Sequence, residues 1–172
     1  MKPVLFVLND RRSIKSKSTN ATLMLACLRQ GHSVFVTDVV HLQATSASAL
    51  FAEALRLPPI EKLKSRKSLE QKISQARTER VSFADLQAVF VRTTPGQDIA
   101  RAWAHRLAIE VLGLASQTGI RVFNCPLGLQ KASSKLYTVC LPEQFVPRTM
   151  VCHSLKSVQD FADQLDGPLV IK

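Results

Sequence analysis

The amino-acid sequence predicts an α/β protein built on a doubly wound parallel sheet. Three observations carry this expectation: unbroken apolar runs at 4–8 and 88–91 with further strand candidates at 33–37 and 120–123, helix-spaced apolar positions between them, and cap or turn residues at the junctions. A run of four or five apolar residues without polar alternation fits a strand covered on both faces, which is the setting of a parallel strand between two helical layers. With 172 residues, of which 46% are hydrophobic and 21% charged, the chain can bury one good core but not two full ones.

The first strand, Val4 to Leu8, ends at Asn9-Asp10. A polar stretch follows, and Thr19-Asn20 are cap candidates for a helix carrying Leu23, Met24, Cys27 and Leu28 with Gly31 as its stop. Ser33 to Thr37 is the second strand, so that strand, helix and strand form a right-handed crossover. From about His41 to Arg80 no period is sustained. Leu55, Leu57, Ile60, Leu63, Leu69 and Ile73 suit either an amphipathic face or a ragged hairpin, and the sequence does not choose between them. Order returns with Ala88–Val91, a third strand ending on Arg92 and broken by Thr93-Thr94-Pro95-Gly96. Asp98 is placed to cap a long helix in which Ile99, Ala102, Trp103, Leu107, Val111 and Leu114 recur at helical spacing before Gly119. Ile120 to Phe123 is the fourth strand.

The remainder has a different grammar: a helical stretch around Ser133–Tyr137, a strand from Phe145 to Val151, a helix from Ser154 bearing Leu155, Val158, Phe161, Ala162 and Leu165, and a strand from Pro168 to Lys172. The last strand stops on a charged residue where a domain is expected to turn and pair it, so the chain is expected to be part of a longer protein.

Ligands of doubly wound sheets bind beyond the carboxyl ends of the strands. Those ends carry Asn9 and Asp10, Asp38, Arg92 with Thr93 and Thr94, and Asn124. Arg92 stands out, because a guanidinium presents paired donors suited to a carboxylate or phosphate. The cysteines (27, 125, 140, 152) and histidines (32, 41, 105, 153) are scattered without the spacing of a zinc site or redox dithiol, and the cysteines read as small core hydrophobes. The five-residue apolar run near the start is too short for a signal-peptide core or membrane span, which points to a cytoplasmic protein. The formal charge is +10, and residues 11–80 hold thirteen Lys or Arg against five acids. That stretch lacks base-stacking aromatics and any helix-turn-helix or zinc-finger spacing, so nucleic acid is disfavoured as a partner although a polyanion stays open.

Taken in order, Val89-Phe90-Val91-Arg92-Thr93-Thr94-Pro95-Gly96-Gln97-Asp98, then Val122-Phe123-Asn124-Cys125-Pro126, then Ser134-Lys135-Leu136-Tyr137-Thr138, and last Pro168 to Lys172, the chain resembles the prokaryotic glutathione synthetase family of ATP-grasp ligases. The resemblance implies a Rossmann-like pre-ATP-grasp substrate domain over residues 1–126, then a linker helix and the first strand-helix-strand of an ATP-grasp domain over 127–172. It implies ATP held by Lys135 and Lys172, and a small carboxylate or peptide substrate held by Arg92 with Asn9 and Asp10. It further implies activation of a carboxylate to an acyl phosphate that an amine attacks to give an amide. That chemistry needs Mg2+ between phosphates and carboxylates and a glycine-rich cover. The six glycines here are dispersed, so both are expected beyond residue 172 and the segment alone is expected to be inactive. Where that family follows the arginine with Lys-Asp-Pro-Pro, this chain has Thr93-Thr94-Pro95-Gly96, which leaves the substrates open and keeps glutamate-adding peptide or protein ligases in view. Oligomers are common in the family, although no residue pattern here marks an interface. The alternative from another class is a non-enzymatic basic α/β module that binds nucleic acid or another polyanion.

Overall fold

The computed structural model describes residues 2–46, 49–63, 65–165 and 167–171. The chain forms two units, Met1–Leu129 and Gln130–Lys172. The first contains a seven-stranded mixed sheet with helices on both faces: β1 (Val4–Leu8), α1 (Thr19–Arg29), β2 (Val34–Asp38), β3 (Leu42–Ala44), β4 (Leu50–Arg56), α2 (Arg66–Ser74), β5 (Thr78–Ser82), β6 (Ala88–Val91), α3 (Ala102–Gln117), β7 (Arg121–Phe123) and the start of α4 (Pro126–Ala132).

The expected parallel centre is present. β1 pairs in parallel with β2 and with β6, and β6 with β7. All five residues of β1 and all five of β2 are buried, β1 as its unbroken apolar run requires and β2 with the polar Thr37 and Asp38 at its end. Alternate side chains of a strand point to opposite faces. One set, Leu5, Val7, Val89 and Val91, packs with Ala104, Ala108, Val111, Leu112 and Ala115 of α3. The other, Val4, Phe6, Leu8, Val34 and Val36, packs with Ala21, Met24, Leu25 and Leu28 of α1 and with Leu69 and Ile73 of α2.

Residues 42–82 add an antiparallel flank. β4 takes β5 on one edge, while its other edge is shared by β3, opposite Leu50–Ala52, and β2, opposite Leu55 and Arg56. Both readings of this stretch are therefore realised in turn: Leu55 lies in β4, and Leu69 and Ile73 line the buried face of α2, whose start is fixed by a reciprocal capping box between Ser65 and Ser68.

Some expected details differ. The cap of α1 is Ser18, one residue before the candidates, with its hydroxyl accepting from Ala21 N. Asp98 does not cap α3; it sits between two 3-10 turns, Pro95–Gln97 and Ile99–Arg101, and the second of these intervenes before the helix. Of the six helix-spaced residues in that region, Val111 alone is buried, while Ile99, Trp103, Leu107 and Leu114 are exposed. The buried face is the one with small side chains, Ala104, Ala108 and Ala115, which let the helix sit close to the sheet.

In the second unit, α5 (Leu136–Val139) and a 3-10 turn at Glu143–Phe145 precede α6 (Leu155–Asp163), capped as expected by Ser154. The expected strands at 145–151 and 168–172 do not form among the described residues, and Lys172 lies outside them. An extended segment becomes a strand only when a neighbour receives its backbone groups. Here Arg148 instead donates from Nη1 to the carbonyl of Gln164 at 3.0 Å, and Val170 and Ile171 are exposed. No described helix is long and apolar enough to cross a membrane.

Candidate functional site

The registers Leu8↔Asp38, Val7↔Val91 and Phe90↔Phe123 set the carboxyl ends of the four parallel strands side by side. Asn9, Asp38, Arg92 and Asn124 therefore share one edge. Two asparagines tie that edge together. Asn9 exchanges a pair of hydrogen bonds with the backbone of Thr94, donating from Nδ2 to the carbonyl at 3.0 Å and accepting from the amide at 2.7 Å. Asn124, whose φ of 34° lies in the left-handed region that asparagine tolerates, donates from Nδ2 to Val91 O at 2.7 Å. The Asn9 amide keeps one N–H and one lone pair free of this clamp. Asp10 accepts from Arg12 N at 2.9 Å and is exposed.

Arg92 continues β6, its amide donating to Val7 O at 2.8 Å, and its Nε donates to Asn20 Oδ1 in the first turn of α1 at 3.0 Å. Its two terminal nitrogens have no hydrogen-bond partner among the described residues. The guanidinium is thus oriented through Nε while the fork that can grip a carboxylate remains available.

Two strands away along the same edge, Asp38 is almost fully buried at the end of β2. Its carboxylate faces Arg11, with Nε 3.8 Å away, and accepts from the amides of Arg11 and Val40. A guanidinium only donates, so the 2.9 Å contact between Arg11 Nη2 and His41 Nε2 assigns the lone pair to Nε2 and the proton to Nδ1, which donates to Asp38 at 2.5 Å. Arg11 Nη1 and Thr37 Oγ1 both donate to Glu53 O, at 2.7 and 2.8 Å, and Glu53 N donates to His41 O. Glu53 sits where the edge of β4 passes from β3 to β2. The polar cluster therefore completes the backbone bonding of β4 at a break in its ladder.

A third cluster lies before α3. Asp98 accepts from Arg101 through both carboxylate oxygens, at 3.0 and 2.9 Å, and from His105 Nε2 at 2.8 Å. The hydrogen bonds from Arg101, and after them that from His105, hold the Asp98 carboxyl below its usual range against some desolvation. Arg101 is raised in turn, chiefly by Asp98 and more weakly by Asp38 and Asp10, so this cation stands in the field of the acids on the strand ends. His105 is buried, and its Nδ1 has no partner among the described residues.

Lys135, expected to contact nucleotide, is exposed at the start of α5 in the second unit, and Lys172 lies outside the described residues. Cys125 and Cys140 are exposed, contrary to the expectation of buried cysteines; Cys27 is half-buried, and burial pushes its thiol up. A recess of about 740 Å3 opens at the opposite pole of the sheet, between Lys2, Gln87 and Ile120 at the amino ends of strands. The convergence of Arg92, Asp38, Asp98 and Arg101 favours the carboxyl edge over that hollow as the seat of ligand chemistry. Among the described residues no three His, Cys, Asp or Glu side chains group to hold a metal ion.

Arg11, Asn20, His41, Arg101 and His105 were not picked out as site residues by sequence. Two spacings signal them in hindsight: Asp38 with His41, and Asp98 with Arg101 and His105 along one side of the chain entering α3.

Residues 1–130 match the family model described as prokaryotic glutathione synthetase, N-terminal domain. The chain is similar to the glutathione synthetase of Synechococcus elongatus, 28% identical over 149 residues that make up 86% of this chain and 45% of that protein. It is likewise similar to that of Gloeobacter violaceus, 27% identical over 176 aligned positions covering 98% of this chain and 50% of the relative. The glutathione synthetase of Synechocystis sp. is 28% identical over 159 residues, 90% of this chain and 47% of its own length. The chain spans about half the length of the curated relatives it matches.

Proposed function

The chain belongs to the prokaryotic glutathione synthetase N-terminal domain family, and from that premise we propose that it supplies the acid-substrate crevice and part of the nucleotide site of a cytoplasmic ATP-dependent carboxylate–amine ligase. In this reading residues 1–126 are the pre-ATP-grasp substrate domain, and 127–172 hold the linker helix and the beginning of an ATP-grasp domain. The observation that carries it is Arg92: a guanidinium at the carboxyl end of a parallel strand, steered through Nε by Asn20, with its fork uncommitted. It holds a carboxylate of the acid substrate. Asn9 and Asp10 frame the same edge, Asn9 through the N–H and lone pair its clamp on Thr94 leaves over. ATP, when bound, supplies the phosphoryl group that activates the acid as an acyl phosphate. Lys135 and Lys172 suit its adenine and phosphates as cationic donors. Magnesium accompanies those phosphates, and no residue described here is assigned to it.

Steady-state kinetics of the ligase containing these residues test the assignment. A hydrogen bond to a charged group is worth about 1.5–3 kcal/mol, so Arg92→Ala should weaken the acid substrate by roughly 10-fold to 150-fold while leaving ATP affinity near wild type. Lys135→Ala and Lys172→Ala should instead raise KM for ATP or lower kcat. Wild-type kinetics in all three variants would remove the reading. The 172-residue chain alone should turn over no ATP.

One observation favours a second reading. Arg56, Lys62, Lys72 and Arg77 surround a recess of about 420 Å3 with Glu79 as the one acid in its lining. If the chain is a polyanion-binding module, nucleic acid should stay bound at physiological salt with sequence preference; incidental binding by counterion release collapses there.

A further inference from the structure

The antiparallel flank gathers cations that the carboxyl edge does not use. Arg56 at the end of β4, Lys62 in the 3-10 turn Ile60–Lys62, Lys72 in the last turn of α2 and Arg77 just before β5 all border the recess of about 420 Å3. The four are exposed, and none forms an ion pair among the described residues. Glu79, the acid of the same lining, forms no ion pair with them there either. Gathered like charges work against the compact state, so this arrangement is unfavourable until an anion meets it.

The surroundings hold the cations in place. Arg56 is in register with Phe35 of β2, and its guanidinium carbon lies 5.9 Å from the centre of that ring, a stacking that steadies the side chain and leaves its N–H donors free. Pro58 and Pro59 stiffen the turn that follows. A helix end ordinarily repels an anion through its bare carbonyls. At the end of α2 the carbonyls of residues 71 to 74 are all taken, by Ser74 Oγ, Gln75 N, Ala76 N and Arg12 Nη1 in turn. The helix therefore offers the recess its lysine and not its acceptors.

We propose that this recess binds an oligophosphate, a run of three or more linked phosphates carried by an inorganic chain or by a nucleotide. A single phosphate, with a charge of roughly −2, balances only part of the cluster. An acidic peptide spaces its side chains by about 3.3–3.6 Å per residue and turns alternate ones away, so it cannot concentrate charge in one hollow. Single-stranded nucleic acid needs a groove with aromatic platforms, and no aromatic side chain lines this recess. Linked phosphates match it: Arg56 and Arg77 bring forks suited to phosphate oxygens, while Lys62 and Lys72 add compact charges. The proposal rests on the same recess as the polyanion reading and narrows it to one ligand class. It does not depend on the ligase assignment, because none of these residues belongs to the carboxyl edge.

Isothermal titration calorimetry of the 172-residue chain with sodium tripolyphosphate at physiological salt tests it. Binding should saturate at one site, and orthophosphate at matched ionic strength should bind at least roughly 30-fold more weakly. Lys72→Gln combined with Arg77→Gln should weaken tripolyphosphate by roughly 10-fold. Arg106→Gln combined with Arg121→Gln removes as much charge from exposed positions outside the recess and should change affinity by less than about 2-fold. Arg92→Ala should leave this binding unchanged, which separates the recess from the candidate site. All four glutamine substitutions fall on exposed side chains, so circular dichroism should report folded protein. Displacement of tripolyphosphate by magnesium-free ATP supports a nucleotide source, and displacement by longer inorganic chains alone supports an inorganic one. Absence of saturable binding, equal losses in the two double variants, or loss in Arg92→Ala overturns the oligophosphate site. A single-stranded oligonucleotide that binds more tightly than tripolyphosphate also overturns it, and leaves the polyanion reading standing.

Discussion

The parallel centre of the sheet and the antiparallel flank over residues 42–82 are held by different physics. In β1 and β2 every residue is buried, so the strands are defined by two apolar faces at once. In β4 burial alternates between full and partial only as far as Ala54 and the strand ends on the exposed Arg56, and in β5 Val81 is the one buried side chain. The flank depends correspondingly more on its ladders, on α2 anchored by Leu69 and Ile73, and on Arg11 and Thr37, which serve the carbonyl of Glu53 where β4 changes neighbours. A core strand is specified by what surrounds it. A flank strand is specified by what it is bonded to.

Graded substitutions sharpen that contrast. The largest effect should come from Phe6→Ala in the centre, where a fully buried ring stacks on Phe90 at 4.8 Å and Phe90 on Phe123 at 5.1 Å. Urea denaturation should show a loss of about 3–5 kcal/mol. Ile73→Ala, which removes an anchor of the flank, should cost about 2–5 kcal/mol in the same transition. A loss far below that, or a separate early transition, would mean that the flank unfolds independently of the centre. Arg11→Ala leaves Glu53 O one donor short and Asp38 without its cation, and should cost about 1–3 kcal/mol. Amide exchange in β4 should then quicken around Glu53 before it does in β1.

The smallest effect is a pH dependence outside both regions. The folded Asp98 carboxyl lies below its usual value, so its stabilising contribution is complete above the ordinary carboxylate pKa of about 4 and fades as pH falls through the folded value. Asp98→Asn should therefore be less stable than wild type at neutral pH and should converge with it in acid, as read from urea midpoints at successive pH values. A deficit that persists unchanged in strong acid contradicts the assignment.

The same contrast explains what was legible in the sequence. Val4–Leu8 and Ala88–Val91 could be read because burial on both faces leaves an unbroken apolar run. β4, Leu50-Phe51-Ala52-Glu53-Ala54-Leu55-Arg56, mixes faces, bears a mid-strand acid, and has one edge shared between two neighbours, so its grammar belongs to no single period. On α3 the pattern was read from the wrong side, since large apolar residues signal burial and alanines do not, yet close packing on the sheet selects the alanines. At the site, Arg92 was legible because a guanidinium at the end of an apolar run is conspicuous. The partnership of Arg11 with His41 was not, because the two are 30 residues apart and meet only once β2 and β4 are in register.

The borders of the sheet carry a further consequence. On one side it ends in β7, three residues long and opening on Arg121; on the other it ends in β5, where Glu79 and Arg80 are exposed and the Arg80 guanidinium lies 4.0 Å above the ring of Phe51. An open strand edge is a template on which another chain can add a strand, and short length and charge are what make that template unattractive. A sheet finished in this way discourages growth sideways by strand addition, so neither border readily becomes the seed of an aggregate.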